Sequence, residues 1–160
     1  MPIQTSSRIF VSHEIQVAHR LSLLPGKCEQ IHGHSMGVEL SLFGDIDENG
    51  ILAGLDFGDV KKAFRGYLDN TYDHRLLLNE NDPWAKPVHL WPYPVSQSRT
   101  PQTLPGVLPL PGDPTTENLA KWICQWAWEC WGKDVDGVQV CINETCTNGA
   151  VYEITEEYNA

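Results

Sequence analysis

Two stretches of alternating polarity, each carrying histidine on its apolar face, constrain this chain more than any other feature. From Arg8 to His19, the residues Ile9, Val11, Ile15 and Val17 share one face with His19, and Ser12, Glu14 and Gln16 share the other. From Met36 to Leu42, the residues Met36, Val38, Leu40 and Leu42 continue the face of His32 and His34. Successive side chains on a strand point to opposite sides, so residues two apart point the same way. Both stretches therefore read as half-buried antiparallel strands. If extended backbone already begins at His32, then His32 and His34 grip one ion from the same side.

A single histidine on a core face is more often structural than a ligand. Three are harder to satisfy, because each neutral ring needs both a donor and an acceptor partner. A metal removes the difficulty by taking one nitrogen from each ring. Three imidazoles with no obvious fourth protein ligand is the pattern of a catalytic zinc, whose open position takes water or substrate. His13 lies on the same face of the first strand, but about 20 Å from His19 along an extended chain, and cannot join. His89 sits in a proline-rich stretch and receives no role. Cys28, four residues before His32, has two readings. It is a fourth zinc ligand in a closed structural site, or a thiolate of lowered pKa that moves a proton. Cys124, Cys130, Cys141 and Cys146 read as small buried hydrophobes.

The rest of the chain supplies the scaffold. Gly44 to Gly50 is a turn by composition. Asp56 looks like a helix cap, followed by a stripe of Phe57, Val60, Phe64, Tyr67 and Leu68. Nine of the eleven prolines fall between Pro83 and Pro114, which excludes a regular interior helix or central strand and predicts a long loop or lid. Asp113-Pro114-Thr115-Thr116 supplies the cap and first turn of a second helix, from about Thr116 to Trp131. That helix is expected to bury Leu119, Ile123, Trp126, Ala127 and Cys130, and Gly132 ends it. Strands over Val138–Glu144 and roughly Ala150–Ile154 complete the order. The expected fold is α+β: a four-stranded antiparallel sheet with two helices on one face, in a single domain over 1–160 with a proline-rich insertion at about 80–114.

At 160 residues the chain is long enough for a core without disulfide staples. Five cysteines without paired spacing argue for a reducing compartment. The chain starts without the basic segment and apolar run of a signal peptide and holds no apolar run of about 20 residues. The expectation is a cytoplasmic protein without a membrane segment. A formal charge of −10 counts against nucleic-acid binding. It also requires that any phosphate site be built locally, with Arg20, Lys27 and Arg75 as candidates.

Two further features carry chemistry. Asp73-His74 is either a turn with a hydrogen-bonding aspartate or a carboxylate that sets the tautomer of an acid/base histidine. Glu144 ends an apolar strand face, where a carboxylate needs partners. A ligand with two parallel N–H donors, such as the 2-amino-4-oxopyrimidine edge of a pterin or guanine, supplies them at about 1.5–3 kcal/mol per bond.

Together these residues resemble the 6-pyruvoyl-tetrahydropterin synthase family, and most closely its bacterial 6-carboxy-tetrahydropterin synthase branch of queuosine biosynthesis. The resemblance runs through Ala18-His19-Arg20-Leu21, Cys28 to His34, Leu55-Asp56-Phe57, Asp73-His74 with Leu78-Asn79, Pro114 to Ala120, and Glu144-Thr145-Cys146-Thr147 with Gly149 and Tyr152. It implies zinc on His19, His32 and His34, Cys28 as the proton-transferring thiol, and Asp73 and His74 completing the relay. It implies that Glu144 anchors the pterin ring with help from Thr115 and Thr116. It further implies the tunnelling fold, with sheets joined between subunits into a barrel, commonly a hexamer of two stacked trimers with active sites at subunit interfaces.

The activity so implied is zinc-dependent conversion of 7,8-dihydroneopterin triphosphate to 6-carboxy-5,6,7,8-tetrahydropterin, with loss of triphosphate and acetaldehyde. Pyruvoyl-tetrahydropterin synthesis is the alternative on the same scaffold. The insert between Leu78 and Thr116 departs from the bacterial pattern by its length. Glu29 makes the motif read also as Glu-x2-His-Gly-His, the form of a subgroup that cleaves dihydroneopterin phosphates for folate synthesis. That adds Glu29 to the substrate-site candidates beside its reading as a solvated loop residue. A non-catalytic zinc or purine-binding module, with Cys28 as fourth ligand, is the rival from another class.

Overall fold

The computed structural model describes residues 7–85 and 106–156. Strand β1 (Ser7–His19) runs antiparallel to β2 (His32–Gly44) along their whole length, with His19 opposite His32 and Val17 opposite His34. Helix α1 (Phe57–Thr71) follows, then β3 (Arg75–Asn79), β4 (Val107–Leu110), helix α2 (Thr116–Trp131), β5 (Gly137–Asn143) and β6 (Gly149–Thr155). The strands form one six-stranded sheet in the order β4-β3-β1-β2-β5-β6. The β1–β3 and β3–β4 pairs are parallel and the others antiparallel.

The expected strands and both helices are present, but the sheet is six-stranded and mixed rather than four-stranded and antiparallel. Strand β3 escaped because Leu76-Leu77-Leu78 does not alternate. Leu77 and Leu78 face opposite sides and both are buried, as in a parallel strand covered on both faces. Strand β4 lies inside the proline-rich stretch, where only a loop was expected. It tolerates Pro109 because it is an edge strand, with β3 as its one neighbour among the described residues. Residues 86–105, including His89, lie outside the described residues. The described residues form an open sheet with edges at β4 and β6, and no closed barrel is formed among them.

One hydrophobic core joins the two helices to the sheet. Val11, Ile15 and Val17 of β1 and Met36, Val38, Leu40 and Leu42 of β2 meet Val60, Phe64 and Leu68 of α1 and Leu119, Ile123 and Ala127 of α2. Each large side chain removed from water here contributes roughly 1.5–3 kcal/mol. Asp56 caps α1 by accepting from the Gly58 and Asp59 amides, and Thr115 caps α2 by accepting from Asn118. Phe57, expected in the apolar stripe, is 55% exposed, because it sits at the first position of the helix. Of the four cysteines expected to be buried only Cys124 is; Cys141 is half-buried and Cys130 and Cys146 are exposed. Cys130 lies in the last turn of α2, where its neighbour Trp131 is the residue that packs against the core.

Candidate metal centre and its cleft

The paired register of β1 and β2 builds the centre. Because His19 lies directly opposite His32, with His34 two residues further along the same face, three imidazoles meet at one end of the sheet. Directly opposed residues stand about 4.5–5.5 Å apart at Cβ, close enough for their rings to converge. One nitrogen from each of His19, His32 and His34 lies within 4.8 Å of the others. His19 is fully buried, and the other two are half-buried.

The hydrogen bonds decide which nitrogens are available. His19 Nδ1 donates to the Pro114 carbonyl at 2.8 Å, and His32 Nδ1 donates to the Gln30 carbonyl at 2.7 Å. A carbonyl only accepts, so both Nδ1 atoms carry the hydrogen and both Nε2 atoms of the neutral rings hold a lone pair. Those two Nε2 atoms face each other at 3.1 Å. Two lone pairs at that distance repel unless a cation or a proton lies between them. His34 Nε2 is likewise buried, with no hydrogen-bond partner among the described residues. Burial first, with the neighbouring imidazoles adding to it, holds His19 below the usual histidine range despite the Pro114 bond and Glu144. A proton is thus disfavoured on His19, and the donor set fits a zinc-like ion.

A cleft of about 640 Å³ opens beside the three rings. Its walls include Cys28, Lys27, Thr115, Thr116 and Glu144. Cys28 is carried by a short helical turn at Lys27–Glu29, and its carbonyl accepts from the Leu21 amide at 2.8 Å, which closes the loop onto the end of β1. Among the described residues the ligand cluster contains the three histidines alone, with Cys28 on the wall and outside the cluster. Thr115 and Thr116 line the cleft as the cap and first residue of α2. Glu144 follows β5. Its Oε1 is 3.7 Å from His19 Nε2 and 3.8 Å from His34 Nε2, and its Oε2 accepts from Asn148 Nδ2 at 2.7 Å.

Other sequence candidates lie elsewhere. Asp73 accepts from the Gln16 amide at 2.7 Å and pairs with His74 Nδ1 at 2.6 Å. The Gln16 bond, with His74 helping, holds the Asp73 carboxyl below the usual carboxylate range. The His74 side chain is 78% exposed and lines a separate cleft of about 580 Å³ with Arg75, Gln16 and Ser35, which His34 also borders. Glu29 faces a third, smaller cavity with Arg20 and Trp84. Arg20 is engaged by the buried Asp82 at 3.1 Å. Lys27 is left as the one cation on the wall of the metal-side cleft among the described residues. His13 pairs with Asp69 at 2.6 Å, a structural contact.

Sequence reasoning missed the supports. Asp113, read as part of a helix cap, instead accepts from the Ser22 hydroxyl at 2.7 Å, the Leu23 amide at 2.7 Å and the Asn79 amide group at 3.0 Å. Together with Pro114 it ties the loop that carries Cys28 to the backing of His19. Asn148 was missed as the partner of Glu144. No sequence pattern marks the Asp113 pairings, because they join segments that meet only in the folded chain, whereas Asn148 lies only four residues from Glu144, across the turn between β5 and β6.

Residues 8–155 match the family described as 6-pyruvoyl tetrahydropterin synthase. A 6-carboxy-5,6,7,8-tetrahydropterin synthase of Rickettsia bellii is 30% identical over 108 residues, covering 67% of this chain and 70% of that one. The enzyme of that name from Rickettsia felis is 30% identical over 43% of this chain and 49% of its own length. The 6-pyruvoyl tetrahydropterin synthase of Plasmodium falciparum superposes with a TM-score of 0.70 at 19% identity, covering 95% of this chain and 99% of that one. A Plasmodium vivax 6-pyruvoyltetrahydropterin synthase, in which a catalytic glutamate is replaced by cysteine, gives 0.72 at 18% identity, with 95% and 99% covered. These likenesses to solved structures establish the fold. With a match over nearly all its length, the chain belongs to the 6-pyruvoyl tetrahydropterin synthase family.

Proposed function

We propose that this protein is a zinc-dependent synthase acting on the side chain of 7,8-dihydroneopterin triphosphate. The observation that carries the reading is the facing pair of Nε2 atoms at 3.1 Å on His19 and His32, both forced into the acceptor state, with the unpartnered His34 Nε2 beside them. His19, His32 and His34 would hold the zinc. When bound, the ion supplies Lewis acidity to the hydroxyl groups of the substrate side chain.

The chain's own groups do the rest. Glu144 accepts two N–H bonds from the pterin edge and sets the ring's orientation, with Thr115 and Thr116 on the same wall. Cys28 takes or returns a proton at a side-chain carbon, which suits a thiol on a partly exposed turn. Asp73 fixes His74 as an Nδ1–H tautomer, leaving its Nε2 free to move a second proton. Lys27, on the wall of the same cleft, is the local positive charge for the triphosphate. Because His74 and Cys28 line separate clefts of one chain, the relay is completed by a second copy in a homo-oligomer, a hexamer on the family pattern.

The fate of the side-chain carbons separates the products. The family description and the solved relatives support the pyruvoyl-type outcome, which keeps those carbons. The curated Rickettsia relatives support a second reading, loss of acetaldehyde to leave 6-carboxy-tetrahydropterin. That product would serve 7-deazaguanine and queuosine synthesis. Cleavage to 6-hydroxymethyl-dihydropterin would instead need Glu29 at the substrate, and Glu29 faces a different cavity.

Zinc-loaded protein incubated with dihydroneopterin triphosphate and followed by mass spectrometry distinguishes all three products. Triphosphate release with a pyruvoyl product supports the first reading, and acetaldehyde with a carboxy product supports the second. No conversion by an assembled, zinc-loaded protein overturns the proposal. It then leaves the non-catalytic zinc or purine-binding module.

A further inference from the structure

Glu144 has a geometry that anchoring a ring does not use. Its Oε1 stands 3.7 Å from His19 Nε2 and 3.8 Å from His34 Nε2. These separations are too long for hydrogen bonds, so the carboxylate is aimed at the rings without bonding them. Zinc bound at ~2.0–2.1 Å to nitrogen and oxygen sets tetrahedral ligand atoms about 3.3–3.4 Å apart. The His19–His32 separation of 3.1 Å falls just under that edge length, and the two Glu144 separations fall just over it. Glu144 stands outside the set whose ligand atoms all lie within 4.8 Å of one another, so its carboxylate has to swing further toward the three rings to complete a tetrahedron. Meanwhile Oε2 is held by Asn148, leaving Oε1 as the oxygen turned to the histidines.

We propose that Glu144 is the fourth metal ligand of the substrate-free protein, and that it leaves the metal when a pterin edge takes its carboxylate. The proposal rests on the metal-site and pterin readings above. Three neutral imidazoles do not offset a dication in a site where His19 is wholly buried, and a carboxylate this close does so in part. Ring recognition and opening of the metal face then become one event, because the two N–H donors compete with the cation for the same group. A ligand without paired donors leaves the centre closed. This couples entry of the correct ring to exposure of the position its side chain needs.

The direct test is a crystal structure of the zinc-loaded chain without pterin. A Glu144 oxygen at about 2.0–2.2 Å from the ion is expected, and a water molecule in that place overturns the proposal. In solution, cobalt(II)-substituted wild type and Glu144→Gln are expected to differ in visible absorption before any ligand is added; superimposable spectra overturn it. A wild-type chain that takes up neither metal overturns the metal centre itself, which keeps the two failures apart.

Discussion

His19 Nδ1 donates to the carbonyl of Pro114 at 2.8 Å, across 95 residues of sequence. The bond pins the end of β1 to the start of α2 and turns the Nε2 lone pair of His19 into the cleft. Such outer bonds fix a ligand's tautomer and orientation before any metal arrives. Replacing His19 by Ala removes the buried member of the three, and the bound zinc is expected to fall from about one per chain to a trace. Metal analysis of the purified variant, beside its circular dichroism spectrum, checks this.

Cys28 lines the cleft but stands outside the ligand cluster. Cys28→Ala is therefore expected to keep full zinc while turnover falls by about 10²–10⁴, the range for loss of a positioned proton-transfer group. Lost zinc in this variant would instead identify Cys28 as a structural ligand.

Cys28 and His74 face different clefts of one chain, so a shared site needs two chains. Cys28→Ala and His74→Ala, each inactive alone, are expected to regain part of the wild-type rate when dissociated together and reassembled. Mixed oligomers of this kind contain some sites with both groups intact. Absence of any recovery, with heteromers demonstrated by mass spectrometry, would place the whole relay within a single chain.

Asp113 supports the site through folding stability. Burial opposes ionisation of its carboxyl, but the Leu23 amide, the Ser22 hydroxyl and the Asn79 amide outweigh it and hold the group below the ordinary range. The unfolded chain, with an aspartate near pKa 3.9, therefore binds the proton first as pH falls. The stabilisation is complete above about pH 4 and is lost as pH drops through the folded value. Asp113→Asn is expected to cost about 1–3 kcal/mol at pH 7 and to flatten the acid side of the profile. Urea unfolding between neutral and acid pH measures both effects.

Glu144→Gln keeps all three imidazoles and is expected to retain zinc at stoichiometric loading. Its pterin affinity should fall by roughly ten- to a hundred-fold, the equivalent of one charge-assisted hydrogen bond at about 1.5–3 kcal/mol. Calorimetric titration with a pterin checks it, and unchanged affinity would remove Glu144 from ring binding.

The period-two patterns of β1 and β2, the Asp56 cap and the extent of α2 were legible from the sequence because each is a local rule. Side-chain alternation, a capping oxygen or an apolar stripe needs no distant residue to be recognised. For the same reason the facing of His32 and His34 could be read from spacing, once the strand was taken to begin at His32. Strand β3 was hidden, since burial on both faces erases alternation, and β4 was masked by Pro109, which only an edge position tolerates.

What the sequence by itself determined is which residues lie on which face of their own strand or helix. The tertiary structure alone decided the rest: that His19 meets His32 at one end of the sheet, that Asp113 binds a loop some ninety residues earlier in sequence, and that His74 turns away from Cys28. Those relations depend on strand register and chain crossing. They are set by the joint packing of one core, and no local pattern encodes a partner that arrives from the far side of the fold.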